Sequence, residues 1–533
     1  MTSTSIKGLA ALFAASCLAS AGPAMAMAAT SDAELDAVFA KAATSPPLLR
    51  VLMTRLPKGA DLHNHAGGGT YAEDFIDWAT STGGCFSKST QSLVAAPCGG
   101  ETDTDRIALQ GLAERDPNLY SDIVDALSTR RFEQGVGEPE VSGHRRFFRT
   151  FGRFGRGGGE DRNVRIQAEA LRQAALDNTF YLELMAGSGA TRAVVEASVA
   201  TPWTDPWIKT ADGSPSERLD TKLLQARLDS LEPVIAQAMP AATAAADASD
   251  KAVAAINRCG SAKPEPACDV TLRYLLSISR QRPPATVFGQ MAAAFALVKS
   301  DPRYVGINIV EPEDGPVSLR DYRLHMRLFA FFKSLYPDVP LTLHAGELAM
   351  GLTPPRDLRF HIAEAVEIAG ARRIGHGVDI AYEDNAQALL ARMARDKVAV
   401  EINLTSNDVI LGVKGKDHPL PLYLAAGVPV TLSTDDLGVS RTDLTQEYMR
   451  AVVEQGVSYS QLKQISRNSL TYAFLQGASL WDGPCAKVRG PTPPAACAAV
   501  LKASPKARDQ WRLERAFDVF ETEMRATVAK LAP

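Results

Sequence analysis

Four histidines and two adjacent aspartates close apolar runs in this chain, and together they suit metal-assisted hydrolysis. His63 and His65 form an H-x-H pair at the end of LPKGADLHNH. Alternate residues of a strand face the same way, so both imidazoles can point to one side. His344 and Glu347 lie in PLTLHAGE, His376 in RIGHGVDI, and Asp435 with Asp436 in VPVTLSTDD. Three neutral imidazoles and one carboxylate suit a borderline cation such as Zn²⁺, with a position left open for water. Such an ion brings a water's pKa towards neutrality and so supplies a nucleophile. A metal would also neutralise Asp435, which has no basic neighbour in sequence. Asp436, turned the other way, is free to meet a substrate or to cap the segment that follows. Four of the eight histidines stand at these run ends, a concentration that structural histidines would not produce.

Something must bring these run ends to one place. Eight short apolar or β-branched segments recur along the chain: LPKGADLHNH, FYLELMA, TLRYLLSIS, YVGINIV, PLTLHAGE, RIGHGVDI, VAVEINL and VPVTLSTDD. Amphipathic stretches such as 320–336, 359–369 and 385–397 separate the later ones. Alternating βα units imply a parallel sheet, and eight of them close into a (β/α)8 TIM barrel whose active site lies at the C-terminal ends of the strands. The expected class is therefore α/β, with additions. Residues 1–28 read as a signal peptide, with Lys7, an apolar run from Gly8 to Ala21 and the small-residue pattern Ala24-Met25-Ala26. An N-terminal helical extension is expected over 29–55 and the barrel over 56–482. Insertions are expected after strands one and two, near 83–103 and 203–270. A disulfide loop and C-terminal helix fill 483–533, Gly157–Gly159 reads as a linker, and 144–156 as an amphipathic helix with a basic edge.

Charge and cysteine content narrow the function. With 57 basic and 61 acidic residues and no long block of one sign, nothing calls for nucleic acid or an anionic membrane. A small-molecule substrate and no stable membrane association are expected. Beyond Cys17 in the leader, six cysteines fall into the local couples Cys85 and Cys98, Cys259 and Cys268, Cys485 and Cys497. Fifteen connectivities are open in principle, and short-loop disulfides at about 2 to 3 kcal/mol each persist only in an oxidising compartment. A periplasmic or secreted location follows as the expectation.

The segments LPKGADLHNH, LTLHAGE, RIGHGVDI, INLTSN and HPLPLYLAAGVPVTLSTDDLGVSRTDLTQEY resemble the adenosine deaminase family of metal-dependent amidohydrolase barrels, from about residue 56 to about 480. The leader, the long lead-in, the cysteine-bearing loop and RFFRTFGRF resemble its secreted growth-factor-like branch, whose members form homodimers. The resemblance implies one Zn²⁺ per chain held by His63, His65, His344 and Asp435. It also implies Glu347 as proton donor to purine N1, His376 orienting or deprotonating the attacking water, and Asp436 bonding N7. The implied reaction is hydrolytic deamination of adenosine or 2′-deoxyadenosine to the inosine product and ammonia.

Two departures bear on the substrate. Glu311 stands where the family has a glycine whose N–H meets purine N3, so a side chain is expected in space that glycine leaves empty. Ala66-Gly67 replaces an acidic residue associated with the ribose. Gly67 and Glu311 are therefore candidate substrate contacts, and another aminopurine or modified nucleoside is the alternative substrate. A secreted signalling or binding relative without activity is the alternative outside catalysis.

Overall fold

The computed structural model describes residues 32–532 apart from 101–102, 131–141, 156–158, 160, 211–214, 483–484 and 486–491. The expected leader and Gly157-Gly158 of the expected linker lie outside the described residues.

Each of the eight apolar runs forms a strand: β1 Gly59–His65, β2 Thr179–Ala186, β3 Thr271–Ser279, β4 Tyr304–Val310, β5 Thr342–Ala345, β6 Arg373–His376, β7 Ala399–Ile402 and β8 Val430–Leu432. They form two four-stranded parallel sheets, β1 to β4 and β5 to β8. Single parallel bridges join the sheets at both edges, Ile307 to Leu341 and Asn64 to Asp435, which closes an eight-stranded α/β barrel. The strands read as near-continuous apolar runs because both of their faces are covered, one by the barrel interior and one by the helices. At the second seam the Asp435 N–H donates to the His63 carbonyl at 2.8 Å and the His65 N–H to the Asp435 carbonyl at 3.1 Å. Three of the chemically interesting residues are thus themselves the closure of the barrel.

Further elements surround the barrel. The lead-in is two helices, α1 Asp32–Ala43 and α2 Pro46–Arg55, because Pro46-Pro47 suits the first turn of a new helix and cannot continue an old one. Residues 85–108 are more than a loop. The strands Cys85–Ser87, Ser92–Val94 and Arg106–Ala108 pair antiparallel around the Cys85–Cys98 disulfide. Next comes α3, Gly143–Thr150, capped by Ser142 Oγ. In the second insertion α4 runs unbroken from Thr221 to Ile256 with Pro233 and Pro240 inside it. Further on lie α5 Pro316–Leu335 and α6 Leu404–Leu411. The C-terminal α7, Pro505–Leu531, buries Leu513, Phe517, Phe520, Met524 and Val528 along one stripe and packs against α1 and β1. All three local cysteine couples are disulfides. Among the described residues no helix is long and apolar enough to cross a membrane.

Candidate active site

His63, His65, His344 and Asp435 meet at the C-terminal mouth of the barrel, with one ligand atom from each inside a 4.8 Å cluster. The Nε2 atoms of His63 and His344 are 3.1 Å apart, and His65 Nε2 is 3.3 Å from both. Asp435 Oδ1 lies 3.2 Å from His65 Nε2. These contacts are not hydrogen bonds. His63 Nδ1 faces Glu401 Oε2 at 2.7 Å, and His344 Nδ1 faces Asn308 Oδ1 at 2.9 Å. Asn308 Oδ1 also accepts the backbone N–H of Ile309, so it is an acceptor. Both imidazoles therefore carry their proton on Nδ1 and turn Nε2 lone pairs towards one another. Lone pairs and a carboxylate converging in a buried place need a cation. Nitrogens about 2.0 to 2.1 Å from a tetrahedral ion lie about 3.3 Å apart, the spacing seen here. The donor set fits one divalent metal.

Behind the donors the bonds continue inward. Glu401 also accepts from Thr342 Oγ1 at 2.6 Å and Arg373 Nε at 2.5 Å, and Arg373 Nη2 reaches Glu183 Oε2 at 2.5 Å. Burial alone would raise the Glu401 carboxyl, but the Arg373 charge and His63 hold it at about 2. An ionised Glu401 fixes the ring of His63 and raises its basicity.

Beside the donors stand Glu347, His376 and Asp436. The Gly346 and Glu347 N–H groups donate to Glu313 at 3.0 and 2.9 Å, which sets the loop after β5. Gly346 has φ +77°, and a Cβ there would lie 2.4 Å from Asp379 Oδ1, so only glycine fits. His376 Nε2 is 3.6 Å from Glu347 Oε1 and 3.9 Å from Asp435 Oδ2. Burial, followed by the charges of Asp435 and Glu313, pushes the Glu347 carboxyl well above the ordinary range. Burial and neighbouring Asp435 do the same to Asp436. Burial pulls His376 down to about 3. Burial thus raises the carboxyl and lowers the imidazole beside it. Asp436 precedes a short helix, Leu437–Ser440, but its side chain makes no cap bond to it. Its Oδ1 is buried without a protein hydrogen-bond partner.

His376, Asp435 and Glu311 all have positive φ, +69°, +58° and +78°. Non-glycine residues enter that region at a cost of about 1 to 3 kcal/mol, and such strain gathers at functional sites. Asp435 and Glu311 line one cavity of about 490 Å³ with Phe147, Phe148, Phe151, Gln281 and Pro312, and His376 lies beside Glu347, which also lines it. Glu311, expected to bring a side chain into this space, is one of the residues lining the cavity. Its backbone keeps the left-handed turn that a glycine would adopt, while its carboxylate accepts from the Gln281 N–H at 2.8 Å and Arg282 Nη2 at 3.1 Å. Gly67 lies against the ring of Phe151, 3.8 Å from where a Cβ would stand. Of the stretch 144–156 expected as an amphipathic helix, only the part up to Thr150 is helical, as α3, and its Phe147 lines the cavity. His144 Nε2, 3.0 Å from Asp314 Oδ1, ties the helix to the loop after β4.

Residues 228–479 match the family model described as adenosine deaminase. The chain is 39% identical over 138 residues to the adenosine deaminase of Enterococcus faecalis, a match covering 26% of this chain and 37% of that protein. It is 40% identical over 136 residues to that of Salmonella typhimurium, covering 25% and 38%. This part of the chain is similar to the adenosine deaminase family. The aligned part is well under half the length of these curated family members. Two solved structures share the fold: Arabidopsis ADAL complexed with IMP, at 19% identity and TM-score 0.50 over 89% of this chain and 99% of that one, and an amidohydrolase from Burkholderia ambifaria with bound Zn, at 18% and 0.50 over 89% and 94%.

Sequence reasoning missed the supporting residues. Glu183, Asn308, Glu313, Glu401, Asn407 and His418 were not singled out, although all are buried. A signal existed for three of them: Glu183 in FYLELMA and Asn308 in YVGINIV each stand alone as a charged or amide residue in an apolar run, and Glu401 does so within the strand Ala399–Ile402.

Proposed function

We propose that this chain is an exported zinc-dependent aminohydrolase that deaminates adenosine or 2′-deoxyadenosine. The observation that carries the reading is the meeting, at the mouth of the barrel, of a four-donor metal set with Glu347, His376 and an Asp436 whose Oδ1 has no protein hydrogen-bond partner. His63, His65, His344 and Asp435 would hold one zinc, whose Lewis acidity brings a water's pKa towards neutrality. Glu347 gives its proton to N1 of the ring as water oxygen adds to C6. His376 orients that water, Asp436 bonds N7, and the N–H of Glu311 remains free of its own carboxylate to meet N3. As the tetrahedral carbon collapses, one of the water's protons leaves with the C6 amino group as ammonia, the other restores Glu347, and the 6-oxopurine remains. Gly67, under Phe151, forms part of the wall beside the substrate. Three disulfides support a periplasmic or secreted location.

Ammonia release, followed with loss of the adenosine absorbance band on zinc-loaded protein, tests the reading. Turnover of adenosine or 2′-deoxyadenosine is expected. Turnover confined to another aminopurine would move the substrate, and no turnover of any aminopurine would end the proposal.

A further inference from the structure

We propose that His418 and Asn407 are positioning residues that lock His376 into its Nε2–H tautomer, so that it faces the reacting water as a hydrogen-bond donor and not as a base. The chain of inference starts from a backbone group whose role is fixed. The Leu420 N–H donates to His418 Nδ1 at 3.1 Å, so that nitrogen is an acceptor and the ring's proton sits on Nε2. His418 Nε2 is 3.0 Å from Asn407 Oδ1, which fixes the orientation of the Asn407 amide. Its Nδ2 then donates to His376 Nδ1 at 2.9 Å. With Nδ1 accepting, the proton of a neutral His376 must be on Nε2. The opposite assignment would set Nδ1–H of His418 against the Leu420 N–H, a donor facing a donor in a buried place.

A second observation agrees. His376 Nε2 is buried without a protein hydrogen-bond partner and points at two carboxylate oxygens, Glu347 Oε1 at 3.6 Å and Asp435 Oδ2 at 3.9 Å. An N–H there faces the Asp435 carboxylate favourably, whereas a lone pair would face an acceptor. Asn403 Nδ2, 3.5 Å from the same Nδ1, brings a further amide to that side of the ring. Burial holds His418 neutral, at about 4. The left-handed backbone of His376 is held in turn by Tyr423, whose hydroxyl donates to the Gly377 carbonyl at 2.6 Å. His376 is therefore fixed in ring, backbone and proton position before any substrate arrives.

The role of His376 in catalysis rests on the proposed deamination, but its tautomer does not, and the test separates the two. Long-range ¹H–¹⁵N spectra of the zinc-loaded protein with ¹⁵N-labelled histidine, assigned by loss of a signal in His376→Asn, should show Nε2 protonated and Nδ1 bare. Asn407→Asp can only accept, so it should move the His376 proton to Nδ1 and lower kcat roughly 10- to 100-fold with KM little changed. His418→Gln keeps a donor towards Asn407 Oδ1 and should retain both the wild-type tautomer and most of the activity. A protonated Nδ1 in the unmodified protein would overturn the proposal whether or not any variant folds. So would full activity in a folded Asn407→Asp protein whose His376 proton has moved. A protein with the expected tautomer but no deaminase activity would instead count against the proposed reaction.

Discussion

The two ends of the barrel treat buried charge in opposite ways. At the base, before β1 and β2, Lys58 is fully buried and donates to three carbonyls, Met53, Leu56 and Asp177, at 2.7, 3.2 and 2.9 Å. The Asp177 carboxylate accepts from the Leu444 and Thr445 N–H groups and the Thr445 hydroxyl. Those groups have their partners. At the mouth, Asp436 Oδ1 and His376 Nε2 have none within the protein, and lone pairs of histidines face one another. Unpaired buried polar groups are costly and rare. The contrast separates residues kept for stability at the base from those arranged for a ligand at the mouth, as the barrel architecture leads one to expect.

Substitutions at the two ends should therefore fail differently. The largest effect belongs to Glu347→Gln, which keeps shape and removes the acid: kcat should fall about 10²- to 10⁴-fold, with thermal unfolding unchanged or shifted upward because a crowded carboxyl is gone. Unaltered steady-state rates would remove Glu347 from the proposed chemistry. Asp177→Ala should do the reverse, lowering stability by about 3 kcal/mol in urea titrations, because Lys58 loses its nearest buried counter-charge, while activity per folded molecule holds. An activity loss without a stability loss would erase the distinction between the ends.

Glu401→Gln lies between them. It should weaken metal affinity about 10- to 100-fold in chelator competition, since Glu401 orients His63 and polarises it. The smallest effect concerns pH. Burial depresses Lys58 to about 8 in the folded chain against 10.5 for the free side chain. Between those values the unfolded state binds more protons, so this residue's contribution to stability rises with pH and is lost again as pH falls towards 8. Relative to Lys58→Met, the native protein should gain about 1 kcal/mol between pH 7 and pH 9. Parallel stability curves for the two proteins would show that Lys58 keeps an ordinary affinity for its proton.

Much of the fold and most of the site could be read from the chain. The strands showed themselves because parallel barrel strands are buried on both faces and so are apolar throughout. The site showed itself because each residue offering a metal donor stands at or just beyond the end of such a run, and the mouth collects those ends. The rest depends on contacts between distant segments. That Pro233 and Pro240 sit inside one helix, α4, is settled by packing along its length, which local rules for proline do not contain. The small sheet at 85–108 has strands of three residues, too short for any periodicity to show. The bonds that hold the Glu311 carboxylate come from Gln281 and Arg282, about thirty residues away. Likewise, the role of Asn407 is visible only once His376 and His418 lie on either side of it.

Metal content bears most directly on the central claim that the mouth of the barrel is built around one cation. Purified protein, and the same protein carrying Asp435→Ala, would be dialysed against buffered zinc and measured by elemental analysis beside a thermal melt. One zinc per chain is expected in the unmodified protein, with a rise in melting temperature on loading, and both should be largely lost in the variant. A folded protein that takes up no zinc, or a variant that binds it as tightly as before, would contradict the assignment.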